Sequence, residues 1–291
     1  MIALAGLVFV LGAVIGGYLL EHGNLLVLLQ PAEFLIIGGA ALGGMVAANP
    51  LPVTLGIFKG LIGLLKGSPY TKAAYLETLK MLNDLFNHAR KNGLSRLEQD
   101  IEEPAKSPVF SKYPSLLKNH HALHFVCDTV RLLVTGGVQT HDLDQMMELD
   151  LEVHHHESTL PPTALTTVAD SLPGLGIVAA VLGIIITMGA MGGPPEQIGH
   201  KVAAALVGTF FGVLMCYGFV GPLAAHMNKL ADAESRYYHV LRVGLAAFAK
   251  GLPPLLAVEF ARRSIPTHLR PTFREMEEAF RGAKAAAGAA A

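Results

Sequence analysis

Four stretches of the chain lack Asp, Glu, Lys and Arg for long enough to cross a bilayer: residues 1–20, 34–58, 171–195 and 202–228. A helix needs about 20 apolar residues to traverse roughly 30 Å of hydrocarbon, and in lipid every backbone polar group must be satisfied internally. No alternating pattern strong enough for a sheet is present. The reading is therefore an all-α, polytopic membrane protein with four transmembrane helices and a helical cytoplasmic domain. Only 15% of the 291 residues are charged, too few to wet an ordinary globular domain of this size.

The runs come in two close pairs, and each pair is a transmembrane hairpin. This divides the chain into a first hairpin (1–49), a cytoplasmic helical domain (50–170), a second hairpin (171–223) and a cytoplasmic helical tail (224–291). Of 22 Lys and Arg residues, none lies in 21–33 and only Lys201 lies in 190–201; the others fall between 59 and 131 or after 228. The positive-inside rule then puts both short loops outside, and both termini with the long polar regions in the cytoplasm. Residues 1–20 carry no positive n-region and no small-x-small site before Glu21, so they are expected to stay as a span.

The polar regions read as helices. Leu76, Leu79, Leu82, Phe86 and Ala89 recur at three- and four-residue spacing up to Gly93, a C-cap. Ser95 and Glu98 have capping-box spacing, Pro114 suits the first turn of a helix running to Gly136, and Thr140 is expected to cap the next. Polar residues from Lys229 to Arg236 carry the fourth span out of the membrane, and the final KAAAGAAA is a low-complexity tail.

A channel working alone needs polar groups in its membrane core, and these spans offer few. Glu33 at an outer mouth and Asp170 at an inner mouth read first as interfacial anchors; Thr187, Thr209 and Tyr217 are the other notable polar groups. Small residues are the richer signal. Gly39 with Gly43, and Gly208 with Gly212, form GxxxG pairs, and Gly38, Gly44, Gly174, Gly176 and Gly183 add flat surface for close helix approach. Such faces suit packing within the chain or an assembly enclosing another helix. In the second case the titrating carboxylate is expected to come from the partner.

Longer segments resemble the MotA/PomA stator subunits of the bacterial flagellar motor: GGYLL, QPAEFLIIGGAALG, SRLEQDIEEP, PGLGIVAAVLG, VGTFFGVLMCYGFVGPLA and AVEFARRSIPTHLRPTFREMEEAF. The resemblance covers nearly the whole chain. It implies a pentameric ring in the bacterial inner membrane around the helices of two MotB-like partners, whose Asp binds the ion, with a cytoplasmic domain pushing on the rotor protein FliG. It also implies roles for particular residues. Pro173 and Pro222 match the family's coupling prolines, and Arg90 and Glu98 match the charged pair facing the rotor, although helix-end electrostatics also suit both charges. Ala180 stands where sodium-driven relatives carry a threonine, which favours protons. Thr209 would face the partner's Asp, and Tyr217 and Asp170 complete the ion-pathway set. The distantly related ExbB/TolQ energisers of envelope transport are the alternative, but they usually have three spans.

Other chemistries find little support. His154, His155 and His156 are consecutive, so on a helix they point about 100° apart; His120 and His124 have zinc-ligand spacing without a third ligand. No nucleophile–base arrangement or phosphate loop stands out, so no enzyme, cofactor or metal is expected beyond the transported ion. A net charge of −1 gives no basic footprint for nucleic acid. Cys127 and Cys216 read as packing residues.

Overall fold

The computed structural model describes residues 2–189, 192 and 194–289. In chain order the helices are α1 (Ile2–Leu20), α2 (Leu25–Leu28), α3 (Pro31–Ala48), α4 (Leu51–Lys66), α5 (Lys72–Asn92), α6 (Leu97–Glu102), α7 (Pro114–Lys118), α8 (His120–Thr135), α9 (Thr140–Met188), α10 (Pro195–Leu214), α11 (Gly221–Ala249), α12 (Pro254–Ser264) and α13 (Phe273–Ala289). A π-helical turn, Met215–Val220, joins α10 to α11. No strand occurs among the described residues. Four segments are long and apolar enough to cross a membrane: Ala3–Leu20, Leu25–Ala48, Thr140–Met188 and Pro195–Ala249.

The chain forms two compact units, Met1–Gly67 with Ser158–Ala231, and Ser68–Glu157 with Asp232–Ala291. In the first, Ile37 and Ala41 of α3 pack with Ala169, Leu172 and Ala179 of α9 and with Cys216, while Ile57 and Leu64 of α4 share a cluster with Ala164, Leu165, Ala224 and Met227. Phe34 meets Phe211 at 4.5 Å between ring centroids. Helix α1 meets this unit at the π turn, and elsewhere turns apolar side chains outward, with Phe9 76% exposed. On a soluble protein so large an apolar face would be a liability; on a membrane protein it meets lipid or another helix.

The second unit has its own core. The apolar stripe of α5, Tyr75, Leu79, Leu82 and Phe86, meets Val240, Leu241 and Leu245 of α11 and Ala257, Val258 and Ala261 of α12. Burying each such side chain contributes about 1.5–3 kcal/mol. Phe86 stacks on Phe248 at 4.3 Å and 4° between planes, and Arg242 bridges Asp144 at 2.8 Å and Glu148 at 3.3 Å. Gly93, at φ +83°, ends α5 as the sequence indicates. Cys127 and Cys216 are both free and buried.

Several local expectations are corrected. The charge-free run 34–58 is two helices, because Pro50 supplies no amide hydrogen and holds Asn49 extended; the Asn49 side chain turns back to the Met45 carbonyl at 2.8 Å. The capping box does not form: Ser95 sits in a 3-10 turn, Leu94–Arg96, and the N-cap of α6 is Arg96, without a side-chain bond. The helix expected from Pro114 to Gly136 breaks at Asn119, whose side chain caps α8 by accepting from Ala122 N at 3.2 Å. Thr140 is the first residue inside α9 rather than its cap. The segment opened by Pro173 does not begin a helix either. It lies inside the 49-residue α9, which also holds Pro161 and Pro162.

Candidate functional site

Helices α9 and α10 meet along a seam that glycine makes possible. A methyl group built on Gly176 would lie 2.7 Å from the Gly208 carbonyl oxygen and 3.3 Å from the Thr209 Cα; one on Gly183 would lie 2.7 Å from the Ala205 Cβ. Backbone therefore packs on backbone, the geometry that small residues permit in membranes. The GxxxG pair Gly208–Gly212 is spent on this internal contact. Gly38, Gly39, Gly43, Gly44 and Gly174 are different, since nothing lies within 4 Å of an added methyl at any of them.

The seam brings together residues that the sequence could only list. A methyl on Gly208 would sit 3.1 Å from the Ala179 Cβ, 3.2 Å from the Ala180 nitrogen and 2.5 Å from Glu33 Oε2. Ala180 is buried and the adjacent Thr209 half-buried. Thr187 is buried as well, and donates back to the Gly183 carbonyl at 2.8 Å. Glu33 is no interfacial anchor: it is 6% exposed, in the first turn of α3, and its Oε2 has no hydrogen-bond partner. Sequence reading missed this because the pocket is built by α9 and α10, far away along the chain.

The two prolines that the resemblance singles out, Pro173 and Pro222, sit in different environments. Pro173 is half-buried within α9, where its ring removes the bond to the Ala169 carbonyl. Pro222 is exposed, two residues after the π turn. There the Gly221 amide bonds the Cys216 carbonyl, five residues back, so the hydrogen-bond ladder slips one residue just before a residue that cannot donate. A methyl on Gly221 would lie 2.7 Å from that carbonyl oxygen. The kink expected at Pro222 thus takes the form of a π turn. Asp170 and Tyr217 are exposed, and neither reaches the Glu33 pocket through any bond.

In the second unit, Arg90 lies in the last turn of α5 and Glu98 in the first turn of α6, both exposed. The corner between them is held from below. Asp100, buried, accepts from Ser107 Oγ at 2.8 Å and lies 3.2 Å from His88 Nε2, and Tyr113 donates to Asp84 at 2.8 Å. Burial and the bond to Asp84 push the Tyr113 hydroxyl well above its ordinary range. Arg90 also lines a cavity of about 340 Å³ with Asn83, Asn87, Glu277, Phe280 and Arg281. Helix α13 is set there by a clamp of arginines: Arg262 donates to Glu259 and to the Pro271 carbonyl at 2.9 Å, while Arg270 donates to the Ile265 and Arg263 carbonyls. This clamp is the structural content of ARRSIPTHLRP.

Three of the histidines, His121, His124 and His154, line a further cavity of about 150 Å³ with Asp128, Asp150 and Tyr238. His121 and His154 meet edge to face at 5.3 Å. Among the described residues no three potential ligands are grouped to hold a metal ion.

A four-span helical membrane protein, with a second helical unit that has its own core, is the class that this fold and these sites define. Comparison with known proteins agrees. The family model "Motility protein A N-terminal" matches residues 4–93, and "MotA/TolQ/ExbB proton channel family" matches residues 118–239. Motility protein A of Escherichia coli (strain K12) is 39% identical over 284 residues, spanning 98% of this chain and 96% of that one. Among solved structures, C. jejuni MotAB aligns with a TM-score of 0.74 at 18% identity, covering 91% of this chain and 95% of its own. The flagellar MotAB stator complex of Bacillus subtilis aligns at 0.71 and 22%, covering 91% and 94%. The chain belongs to the motility protein A family.

Proposed function

We infer that the chain is a stator subunit of the bacterial flagellar motor, forming with a MotB-like partner a proton channel that converts proton flux into torque on the rotor. The observation that carries this is the α9–α10 seam, a charge-poor wall with Ala180 and Thr209 in it and glycine faces on α3 left open to another helix. Such a wall suits a channel whose main titrating group, an Asp, is supplied by the partner. Around the partner's helices the chain assembles as a ring of copies, a pentamer, in the inner membrane, with lipid against α1 and with its termini and polar unit in the cytoplasm. Alanine rather than a hydroxyl at 180 favours protons, because sodium needs oxygen ligands to replace its hydration shell.

Pro173 and the π turn before Pro222 are the yielding points of the two spans, and Asp170 and Tyr217 flank the path at its inner half. Arg90 and Glu98 stand exposed on a braced corner, which suits charge contact with FliG. Four candidate spans favour this reading over an ExbB/TolQ-like energiser. The deciding experiment is motility of a strain that depends on this protein, in sodium-free medium. Swimming that persists without sodium and collapses with an uncoupler is expected; dependence on sodium would overturn the proton assignment.

A further inference from the structure

We propose that Glu33 is a proton-binding carboxyl of this chain's own, set in the wall of the ion path behind Gly208 and Thr209. The inference deepens the proton-channel reading and rests on it. An ionised carboxylate buried among apolar groups without a partner costs several kcal/mol, and an intramembrane acid that is retained at such a cost marks a function by default. Glu33 meets that description: it is more than nine-tenths buried and its Oε2 is unbonded. Its two carboxyl oxygens lie against the bare faces of Gly183 on α9 and Gly208 on α10, at 3.4 and 2.5 Å from where a methyl on each would stand, and neither glycine titrates.

Position distinguishes Glu33 from a misplaced surface acid. Its carboxyl lies against Gly208, which precedes Thr209 and packs on Ala180, the two positions singled out for the ion path, and the missing side chain of Gly208 is what makes room for it. Any larger residue at 208 would occupy the place of Oε2. The step required is simple and balanced: Glu33 takes one proton from water at the outer side, and releases that proton to water beside Thr209. No other bond is made or broken. The partner's Asp then receives protons that have already been held once in the wall.

The test uses the full complex of this chain with its partner, in membranes. Dicyclohexylcarbodiimide attacks protonated carboxyls in apolar surroundings, and peptide mass spectrometry reads whether Glu33 carries the adduct. We expect Glu33 to be modified, with modification falling as pH rises. Glu33→Gln should co-purify with the partner at the wild-type level yet lower proton uptake by vesicles about tenfold, and Glu33→Asp should recover part of the loss. A Glu33 that stays unmodified at every pH, or a Glu33→Gln complex that conducts like wild type, overturns the proposal. Labelling needs no motor, so a labelled Glu33 in a complex that drives no swimming would sink the stator reading alone.

Discussion

Gly176 and Gly212 approach until a methyl on Gly212 would stand 3.0 Å from the Gly176 Cα and 2.5 Å from the Leu172 carbonyl oxygen. Neither backbone can retreat without opening the seam that holds Ala180 and Thr209. Alanine at 176 or 212 is therefore expected to destabilise the chain by overpacking, by about 1–3 kcal/mol, seen as a lower thermal midpoint of the purified complex. Gly39→Ala is the control, since its added methyl meets nothing within 4 Å in this chain. If Gly39→Ala lowers assembly while leaving single-chain folding alone, the α3 face is a contact between chains.

Pro173→Ala restores an amide that can reach the Ala169 carbonyl and straightens α9 locally. Swimming should be abolished while membrane level and partner co-purification stay normal. Full motility would remove Pro173 from the coupling mechanism.

The π turn calls for a different experiment. Gly221→Ala places a methyl against the Cys216 carbonyl, so it should abolish torque even though Pro222 is intact. Wild-type speed in Gly221→Ala, measured on tethered cells, would mean the turn is incidental.

Arg90→Glu should impair torque and be partly rescued by reversing an acidic charge on the rotor. Arg281 lines the same cavity from α13, and its reversal should weaken torque less. If the Arg90 double mutant is no better than the single, direct charge contact is wrong.

The clamp on α12 makes a prediction about acid. The Arg262 guanidinium bonding Glu259 at 2.7 Å, with Arg263 at 2.8 Å, holds the Glu259 carboxyl below the usual carboxylate range against the opposing effect of burial. A depressed carboxylate stabilises the fold above its unfolded value of about 4.3, and that contribution is lost as pH falls through the lower folded value. Glu259→Gln should cost about 1–2 kcal/mol at neutral pH, and its melting temperature should fall less steeply than wild type below pH 4.3 or so. Equal slopes would show that the clamp is not electrostatic.

The spans were legible because absence of charge is a property of the sequence alone, and the apolar stripe of α5 was legible because its period is local. Glu33 was not, because its burial depends on Gly183 and Gly208, which no local pattern ties to residue 33. The capping box failed for a neighbouring reason. Gly93 leaves α5 at positive φ and a 3-10 turn follows, so Ser95 is already inside a turn when α6 starts. The break at Asn49–Pro50 could have been read from proline chemistry, whereas the π turn leaves only the Gly221–Pro222 pair as its trace.

That turn also keeps the fourth span in phase with itself. Gly208, Gly212 and Cys216 are buried at four-residue intervals, and burial resumes at Ala224 and Met227. Eight residues of regular α-helix, from 216 to 224, overshoot two full rotations by about 80°. The wider π turn absorbs most of that excess. Deleting one residue from 215–220 would remove the π turn and leave a regular helix whose lower half keeps nearly the same face, because seven residues of α-helix turn about 700°.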